Sequence, residues 1–387
     1  MKINWNNKYT TISMYSFIVI SCSIIFFNIL SQMNVFTGKL QELVTILQPF
    51  IVGGVIAYLL NFILEFYERK VLNNDKLKNI KSKRALSIIM TYITAGFICY
   101  LFAQFVVPQL VDSIVGLANN IPQYVTNLTL WIEDMSTKLN INQEYTDLFR
   151  TKWNEIVAFI VELGSNLIPL LTGLITSTLS GIWNIILGLI ISIYLLIDKE
   201  KFYGLFRKSI YAGFNEKNAK YILKLARRSN NTFGNFLGGK ILDSAIIGVL
   251  TFAILTVFKM PYTLLISVII GITNIIPFFG PFFGAIPSAI IILFVSPIKA
   301  LWFLVIILVI QQLDGNVIGP KILGDSIGIS AFWILFSLLI AGKVLGLVGM
   351  IIGVPLFAII YSVIKEVVES KLEKKGLPTD TSNYMKQ

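Results

Sequence analysis

The stretch between residues 241 and 364 constrains the fold most strongly, because it carries only seven charged side chains. They are Asp243, Lys259, Lys299, Asp314, Lys321, Asp325 and Lys343. A soluble protein has about 25% charged residues, whereas this chain has 14% charged and 55% hydrophobic residues. Seven charges cannot cover the surface of a soluble fold of this size. The sequence therefore predicts an integral membrane protein.

Composition also excludes several functional classes. The chain has no histidine, and its two cysteines, Cys22 and Cys99, lie within apolar runs. Ser-His-Asp and Cys-His triads and histidine zinc sites are therefore excluded, and we expect neither a metal nor a cofactor. The net charge of +11 resides in basic loops without a zinc or RNA-binding pattern, so nucleic acid is not an expected partner. The expected partners are membrane lipid and a small-molecule or cation substrate.

Four apolar runs reach the length of about 20 residues that a membrane-spanning helix needs. They cover residues 11–30, 43–67, 85–107 and 174–197. Residues 65–84 carry seven basic and three acidic side chains, and residues 198–240 carry ten and three. Residues 108–152 carry three basic and five acidic side chains. The positive-inside rule predicts that the two basic segments and both termini are cytoplasmic and that the acidic segment is outside.

The chain divides into five expected parts. They are the first three transmembrane helices with the basic loop 65–84 (1–107), extracytoplasmic amphipathic helices (108–173), a fourth transmembrane helix with a basic helical segment (174–240), a C-terminal transport core (241–364) and a cytoplasmic tail (365–387). Helical spacing of the apolar residues from Val111 to Met135 predicts the external helices. They are interpreted as a cap packed on the transmembrane bundle, with a substrate-gathering or partner-binding surface as the alternative. Pro108 is expected to end the third transmembrane helix.

The C-terminal core contains apolar runs that are too short to cross a membrane alone. The run at 262–276 has about 15 residues, fewer than the roughly 20 that a crossing needs, and it is followed by Pro277, Gly280, Pro281 and Gly284. A second interrupted run contains Gly342, Gly346, Gly349 and Pro355. Short helices that meet at a Pro- and Gly-rich tip are typical of re-entrant hairpins or broken helices. Two such hairpins are predicted, with their tips inside the membrane.

Polar residues end the apolar run that begins near Ala300. They are Gln311, Gln312, Asp314 and Asn316. A carboxylate in this position is costly unless it is paired or hydrated. Carboxylate and amide oxygens are also the ligands that a sodium or proton pathway would use. The alternative is that Asp314 caps the turn at 316–320 at the membrane interface.

Two further polar residues belong to the expected substrate or ion pathway. Asp243 lies three residues after Lys240 near the beginning of an apolar run, which favours an interfacial ion pair. Asn274 lies three residues before Pro277, where its side chain is expected to bind amide groups freed at the helix break. The interfacial pair and the ion pathway stay open as interpretations of Asp243.

Three ordered motifs carry a resemblance to a known family. They are GITNIIPFFGP at 271–281, the segment from Gln312 to Gly324, and the segment from Gly346 to Pro355. Together they resemble the autoinducer-2 exporter family of bacterial inner-membrane transporters. The chain has Asp314 where that family often has Glu, and Ser330-Ala331 where His-Pro is common. A proton role for that histidine therefore cannot operate in this chain.

The resemblance implies an all-α polytopic membrane protein with about eight transmembrane helices in the bacterial inner membrane. It also implies a secondary transporter that exports autoinducer-2 or exchanges sodium for protons, and a homo-oligomeric assembly is left open. A passive channel and an envelope scaffold are the alternatives. An intramembrane enzyme is disfavoured because the acidic residues are scattered along the chain.

Overall fold

The computed structural model describes residues 7–31, 33–72, 80–138, 181–323 and 328–385, with scattered positions between 152 and 176. Within these residues the chain forms helices joined by turns, which confirms the predicted all-α class. The predicted parts at 73–79 and 139–151 lie outside the described residues, as does most of 152–180.

The first six helices in the described part of the chain are α1 (Asn7–Ser31), α2 (Met33–Phe66), α3 (Ile80–Leu101), α4 (Val107–Lys138), α5 (Ile182–Ile197) and α6 (Lys199–Gly213). The following helices are α7 (Glu216–Val257), α8 (Thr263–Thr273), α9 (Gly280–Val295), α10 (Pro297–Leu313), α11 (Gly319–Leu323) and α12 (Ala331–Lys374). Wider π-helical turns follow α2, α3 and α10, at Tyr67–Val71, Phe102–Val106 and Asp314–Ile318. A short 3₁₀ turn at Thr381–Tyr384 lies near the C-terminus.

Among the described residues, five helical segments are long and apolar enough to cross a membrane, or six if α5 and α6 form one span. The five are Thr45–Val71, Lys83–Met135, Glu216–Val257, Pro297–Ile322 and Ala331–Glu373. Tyr9–Ile25, Thr263–Thr273 and Gly280–Val295 are shorter apolar helices. The number of about eight that the resemblance implies stays a prediction. The polytopic membrane fold is confirmed.

The helix that contains Pro108 does not end there, in contrast to the expectation from the sequence. α3 continues through the π-helical turn Phe102–Val106 directly into α4. Proline lacks a backbone N–H and crowds the preceding turn of a regular helix. A π-helical turn is wider, and this one precedes the proline without interrupting the helix. The helix consequently extends to Lys138.

The chain forms two compact units, of which the first contains Met1–Ile88 and Thr178–Lys199. In this unit α2 packs along α5. A Cβ atom at Gly53 would lie 2.8 Å from the backbone oxygen of Gly188. The small residue therefore allows the two backbones to approach closely, as is common between membrane helices.

The second unit contains Ile89–Ser177 and Glu200–Gln387. Its main apolar core lies between α7, α8, α9 and α10 and includes Ile247, Ile270, Ile292 and Ile310, each at most 1% exposed. The outer part of α4 packs on this unit, because Ile121, Val125 and Leu128 form a buried cluster with Phe294 of α9. This part of α4 is therefore packed against α9, and its position outside the membrane stays a prediction.

The first predicted helix break is present. α8 ends at Thr273, six residues form an irregular tip, and α9 begins at Gly280. A Cβ atom at Gly280 would collide with the backbone oxygen of Thr273. Gly280 therefore permits the close return of the chain onto α8. Pro281 and Gly284 lie in the first turns of α9 and not in the tip itself.

The second predicted helix break lies within α12. Gly346 has φ 61° and ψ −142°, which no helical residue adopts and which strains any residue other than glycine. The two arms on either side fold back on one another, since the ring centroids of Trp333 and Phe357 lie 5.4 Å apart. A Cβ atom at Gly349 would collide with the backbone oxygen of Ala341. The depth of both tips in a membrane stays a prediction.

Candidate functional site

A buried polar cluster lies inside the second unit and involves α7, the first hairpin and the end of α10. Lys240 and Asp243 are one helical turn apart on α7, and Asn274 is the residue directly after α8. Asp314 lies where α10 widens into its π-helical turn, a feature that is frequent at functional sites. These four residues are called the carboxylate cluster below.

The members of the carboxylate cluster are almost excluded from solvent. Asp243 is 0% exposed, Asn274 2%, and Lys240 and Asp314 8% each. Lys240 Nζ donates a hydrogen bond of 2.8 Å to Asp243 Oδ2. Asn274 Nδ2 donates to the same oxygen at 3.2 Å. The pair of Lys240 and Asp243 thus forms, but it is buried and does not lie at an interface with solvent.

Asp314 belongs to the same cluster. Its carboxyl group interacts directly with that of Asp243, and Lys240 and Asn274 also act on it. Oδ1 of Asp243 and Oδ1 of Asp314 are buried, and no donor among the described residues reaches either atom. Buried polar atoms without a partner are rare and require an explanation such as a proton, an ion or a water molecule. A proton, an ion or a water molecule between these neighbouring carboxyl groups would supply the missing partner.

Charge counting leads to the same conclusion. Two ionised carboxylates and one ammonium group leave one net negative charge in a buried site, which is costly. One additional proton, or one monovalent cation, would make the cluster neutral. Sites for divalent metals usually contain more acidic ligands, and no group of three His, Cys, Asp or Glu residues converges within the described part of the chain.

The other polar residues of α10 are placed differently. Gln311 lies one turn before Asp314, and its buried Nε2 atom has no acceptor among the described residues. Gln312 and Asn316 are exposed and bind each other, with 2.9 Å between Asn316 Nδ2 and Gln312 Oε1. The structure therefore brings Asp314, Asp243 and Asn274 together and leaves Gln312 and Asn316 outside. Oδ1 of Asp314 has no hydrogen-bond partner in the described region, and the turn cap and the ion pathway stay alternative interpretations of this residue.

Lys240 is the member of the cluster that was missing from the pathway residues selected from the sequence. The sequence feature that indicates a role for Lys240 is its position three residues before Asp243, since residues at this spacing lie on the same face of a helix. The sequence favours an interfacial pair because Lys240 and Asp243 lie near the beginning of an apolar run. Burial of the pair only becomes evident when α8 and α10 pack on α7.

Residues in and beside the tip of the first hairpin are buried as well. Pro277, Gly280 and Gly284 are buried. Ile276 of the first tip packs in an apolar cluster with Phe236 of α7 and with Val354, which precedes Pro355 in the second hairpin. Both hairpins therefore pack against α7 at Phe236, which lies four residues before Lys240.

A separate cavity of about 580 Å³ lies between α4 and the turn that joins α7 to α8. Its polar lining includes Gln109, Asp112, Ser113, Thr256, Lys259 and Thr263. The hydroxyl groups of Tyr262, which also lines it, and Tyr124 lie 3.0 Å apart. A cavity of this volume is large enough for a small solute, and its lining offers hydrogen-bond donors and acceptors.

Comparison with known proteins places the chain among transporters. A family model described as AI-2E family transporter matches residues 14–369. The chain is similar to YueF of Bacillus subtilis (strain 168), with 27% identity over 320 residues that cover 79% of this chain and 80% of YueF. It is also similar to YrrI of the same organism, with 27% identity over 314 residues, 79% of this chain and 82% of YrrI. The AI-2 transport protein TqsA of Escherichia coli (strain K12) is 24% identical over 312 residues, 79% of this chain and 81% of TqsA.

Proposed function

The chain belongs to the AI-2E transporter family, and on that premise we propose that it is a secondary transporter coupled to protons or monovalent cations. The coupling site is the carboxylate cluster. In this proposal the protein lies in a bacterial inner membrane, and both of its termini are in the cytoplasm. Membrane lipid and a transported solute or cation are its partners, and self-association into a homo-oligomer fits the same proposal.

The observation that supports this function best is the pair of open carboxyl oxygens, Oδ1 of Asp243 and Oδ1 of Asp314. A proton and a sodium ion each supply the one positive charge that the cluster lacks. The two species therefore compete for one binding site, because simultaneous binding of both would leave an excess positive charge in a buried cluster. Mutually exclusive binding of this kind is what exchange of sodium for protons requires.

The position of Asn274 supports a coupling between the charge of the carboxylate cluster and movement of the first hairpin. Asn274 is held at the tip of the first hairpin and donates to Asp243. A change in the charge of the cluster alters this hydrogen bond and therefore the stability of the tip against α7. In secondary transporters, broken helices typically form the substrate and coupling-ion sites, and one helical bundle moves against the other around these sites.

Purified protein in proteoliposomes tests the coupling. With a pH-sensitive dye inside the vesicles, an imposed gradient of sodium or lithium is expected to move protons in the opposite direction. A potassium gradient of the same size serves as the matched ionic control. Solute or cation flux that ignores the pH gradient and runs only down its own gradient would instead identify a passive channel. Absence of any flux would favour the scaffold alternative.

Export of a small hydrophilic solute is the second candidate function. The observation that favours it is the cavity of about 580 Å³ with Gln109, Asp112 and Lys259 in its lining. One relative carries the name AI-2 transport protein, which makes autoinducer-2 the first solute to test. Efflux of autoinducer-2 from loaded vesicles should then depend on an imposed proton or sodium gradient. Efflux equal to that of protein-free vesicles would remove this candidate.

A further inference from the structure

A small basic cleft lies between α6 and α7, apart from the carboxylate cluster. The cleft has an open volume of about 220 Å³. From α6 it includes Tyr203, Arg207 and Tyr211, and from α7 Lys220, Lys224 and Arg227. Residues at spacings of three, four and eight lie on one face of a helix. The two helices therefore direct four cationic groups and two phenol groups toward one space, called the basic cleft below.

The charge of the basic cleft is only partly compensated. Lys220 pairs with Glu216 at 2.6 Å, and Lys224 lies 3.7 Å from Glu366. Arg207 and Arg227 have no acidic partner among the described residues, and the residues that line the cleft include no acid. Two guanidinium groups beside two lysines are a strong signal for an oxyanion, because each guanidinium can bind two oxygens in a plane.

The volume of the basic cleft limits what it can hold. Sites that enclose a whole small molecule have about 300–1,000 Å³, whereas this cleft has about 220 Å³. A phosphate group with a few water molecules fits, and a nucleotide does not. The ligand is therefore expected to place only a phosphate in the cleft.

The opposite side of α6 indicates where the remainder of that ligand lies. Phe202, Leu205 and Phe206 are 51%, 52% and 45% exposed, and they lie away from the face that lines the cleft. A helix with one charged and one aromatic-rich apolar face is typical of the membrane interface. The excess of basic residues in 198–240 predicts that this interface is the cytoplasmic one.

We propose that the basic cleft binds the phosphate of an anionic phospholipid in the cytoplasmic leaflet, with Arg207 and Arg227 as its principal ligands. The acyl chains of the lipid lie beside the apolar face of α6. Basic pockets at the cytoplasmic side of membrane proteins bind anionic headgroups in this manner. The site is independent of the proposed coupling, because it uses none of the residues of the carboxylate cluster.

Native mass spectrometry of the full-length protein in detergent tests the assignment with phosphatidylglycerol and phosphatidylcholine as probes. The wild type is expected to retain phosphatidylglycerol in preference to phosphatidylcholine. The double variant Arg207→Gln/Arg227→Gln should bind phosphatidylglycerol about 30-fold more weakly, since each cationic group near an anionic lipid contributes about fivefold. Its helical content and melting temperature without lipid should match the wild type, because Arg207 and Arg227 are both exposed.

The matched control is Lys208→Gln/Arg228→Gln, which removes the same charge from adjacent positions that do not line the cleft. It should retain the preference for phosphatidylglycerol within about threefold. Equal losses in both double variants would show that diffuse charge attracts the lipid and would overturn the proposal. Stabilisation by inorganic phosphate without any preference for phosphatidylglycerol would also overturn it, in favour of a soluble phosphate ligand.

A second variant, Arg207→Lys/Arg227→Lys, separates charge from geometry. Lysine retains the charge but cannot bind two oxygens in a plane. Binding of phosphatidylglycerol should fall between those of the wild type and the glutamine variant. Wild-type affinity in this variant would contradict direct coordination by the two arginines.

Discussion

Asn274 donates a hydrogen bond of 3.2 Å to Oδ2 of Asp243, which ties the tip of the first hairpin to the long helix α7. The same oxygen accepts from Lys240 at 2.8 Å. One carboxylate therefore fixes both a buried ammonium group and a helix break. Any change of charge at Asp243 reaches the hairpin through a single side chain.

The buried pair of Lys240 and Asp243 should show strongly non-additive energetics. Asp243→Asn removes the carboxylate that accepts from Lys240 and leaves Asp314 as the remaining carboxylate of the cluster. Removal of one partner from a buried pair costs up to about 3–5 kcal/mol. Lys240→Met has the converse effect, because two carboxylates then share the site. The double variant should lose about 2 kcal/mol less than the sum of the single losses, as measured by denaturation in mixed micelles.

The exposed pair of Lys138 and Asp134, with 2.6 Å between Nζ and Oδ2, is the control for that cycle. Lys138→Met and Asp134→Asn should be additive within about 0.5 kcal/mol, since solvent screens exposed pairs. Equal coupling in both pairs would contradict the burial of Lys240 and Asp243.

Gly280→Ala should disrupt the first hairpin. The new methyl group would collide with the backbone oxygen of Thr273, and neither backbone can move without opening the tip. Overpacking of this kind costs about 1–3 kcal/mol, and transport should fall together with the melting temperature. Gly116→Ala is the control, because no other atom lies within 4 Å of its added Cβ. Wild-type transport and stability in Gly280→Ala would exclude a tight tip.

Two adjacent glycines of α2 give a matched test of packing in the first unit. A Cβ atom at Gly53 would lie 2.8 Å from the backbone oxygen of Gly188, whereas one at Gly54 meets no packing partner from the described residues within 4 Å. Gly53→Ala should lower stability by about 1–3 kcal/mol. Gly54→Ala should be neutral or gain up to about 1 kcal/mol, because alanine favours the helix. Similar melting temperatures for the two variants would contradict the close crossing of α2 and α5.

Sequence reasoning reached the helix breaks because their causes are local. Pro277 and Gly280 lie in one short segment, and Gly346 interrupts a long apolar run. Such residues act on their own backbone, wherever the rest of the chain lies. The membrane class followed from charge density alone.

Other features could not be obtained from local sequence. The contact of Asp243 with Asp314 joins residues that are far apart in the chain and depends on how α10 packs on α7. The helix continues through Pro108 because a π-helical turn precedes it, and the residues around Pro108 do not predict that turn. In both cases a tertiary or helical context overrides the local pattern.

The orientation of the chain can be tested with single cysteines in a Cys22→Ser/Cys99→Ser background. Thr126 and Ser209 are exposed and lie in segments that the charge distribution assigns to opposite sides. An impermeant thiol reagent should label Thr126→Cys in intact cells and Ser209→Cys only after lysis. The reverse pattern of labelling would invert the proposed orientation.

Asp314→Asn is the most direct test of coupling, since asparagine retains the shape of the side chain but removes its charge and its titration. The cluster then contains one carboxylate and one ammonium group, which already balance, so neither a proton nor a sodium ion is required for neutrality. Sodium-driven proton movement in proteoliposomes should fall at least tenfold and lose its pH dependence, while expression and helical content persist. Asp134→Asn, at an exposed position on α4, should leave transport unchanged. Unchanged rate and pH profile in Asp314→Asn would assign the residue a purely structural role and move the ion pathway elsewhere.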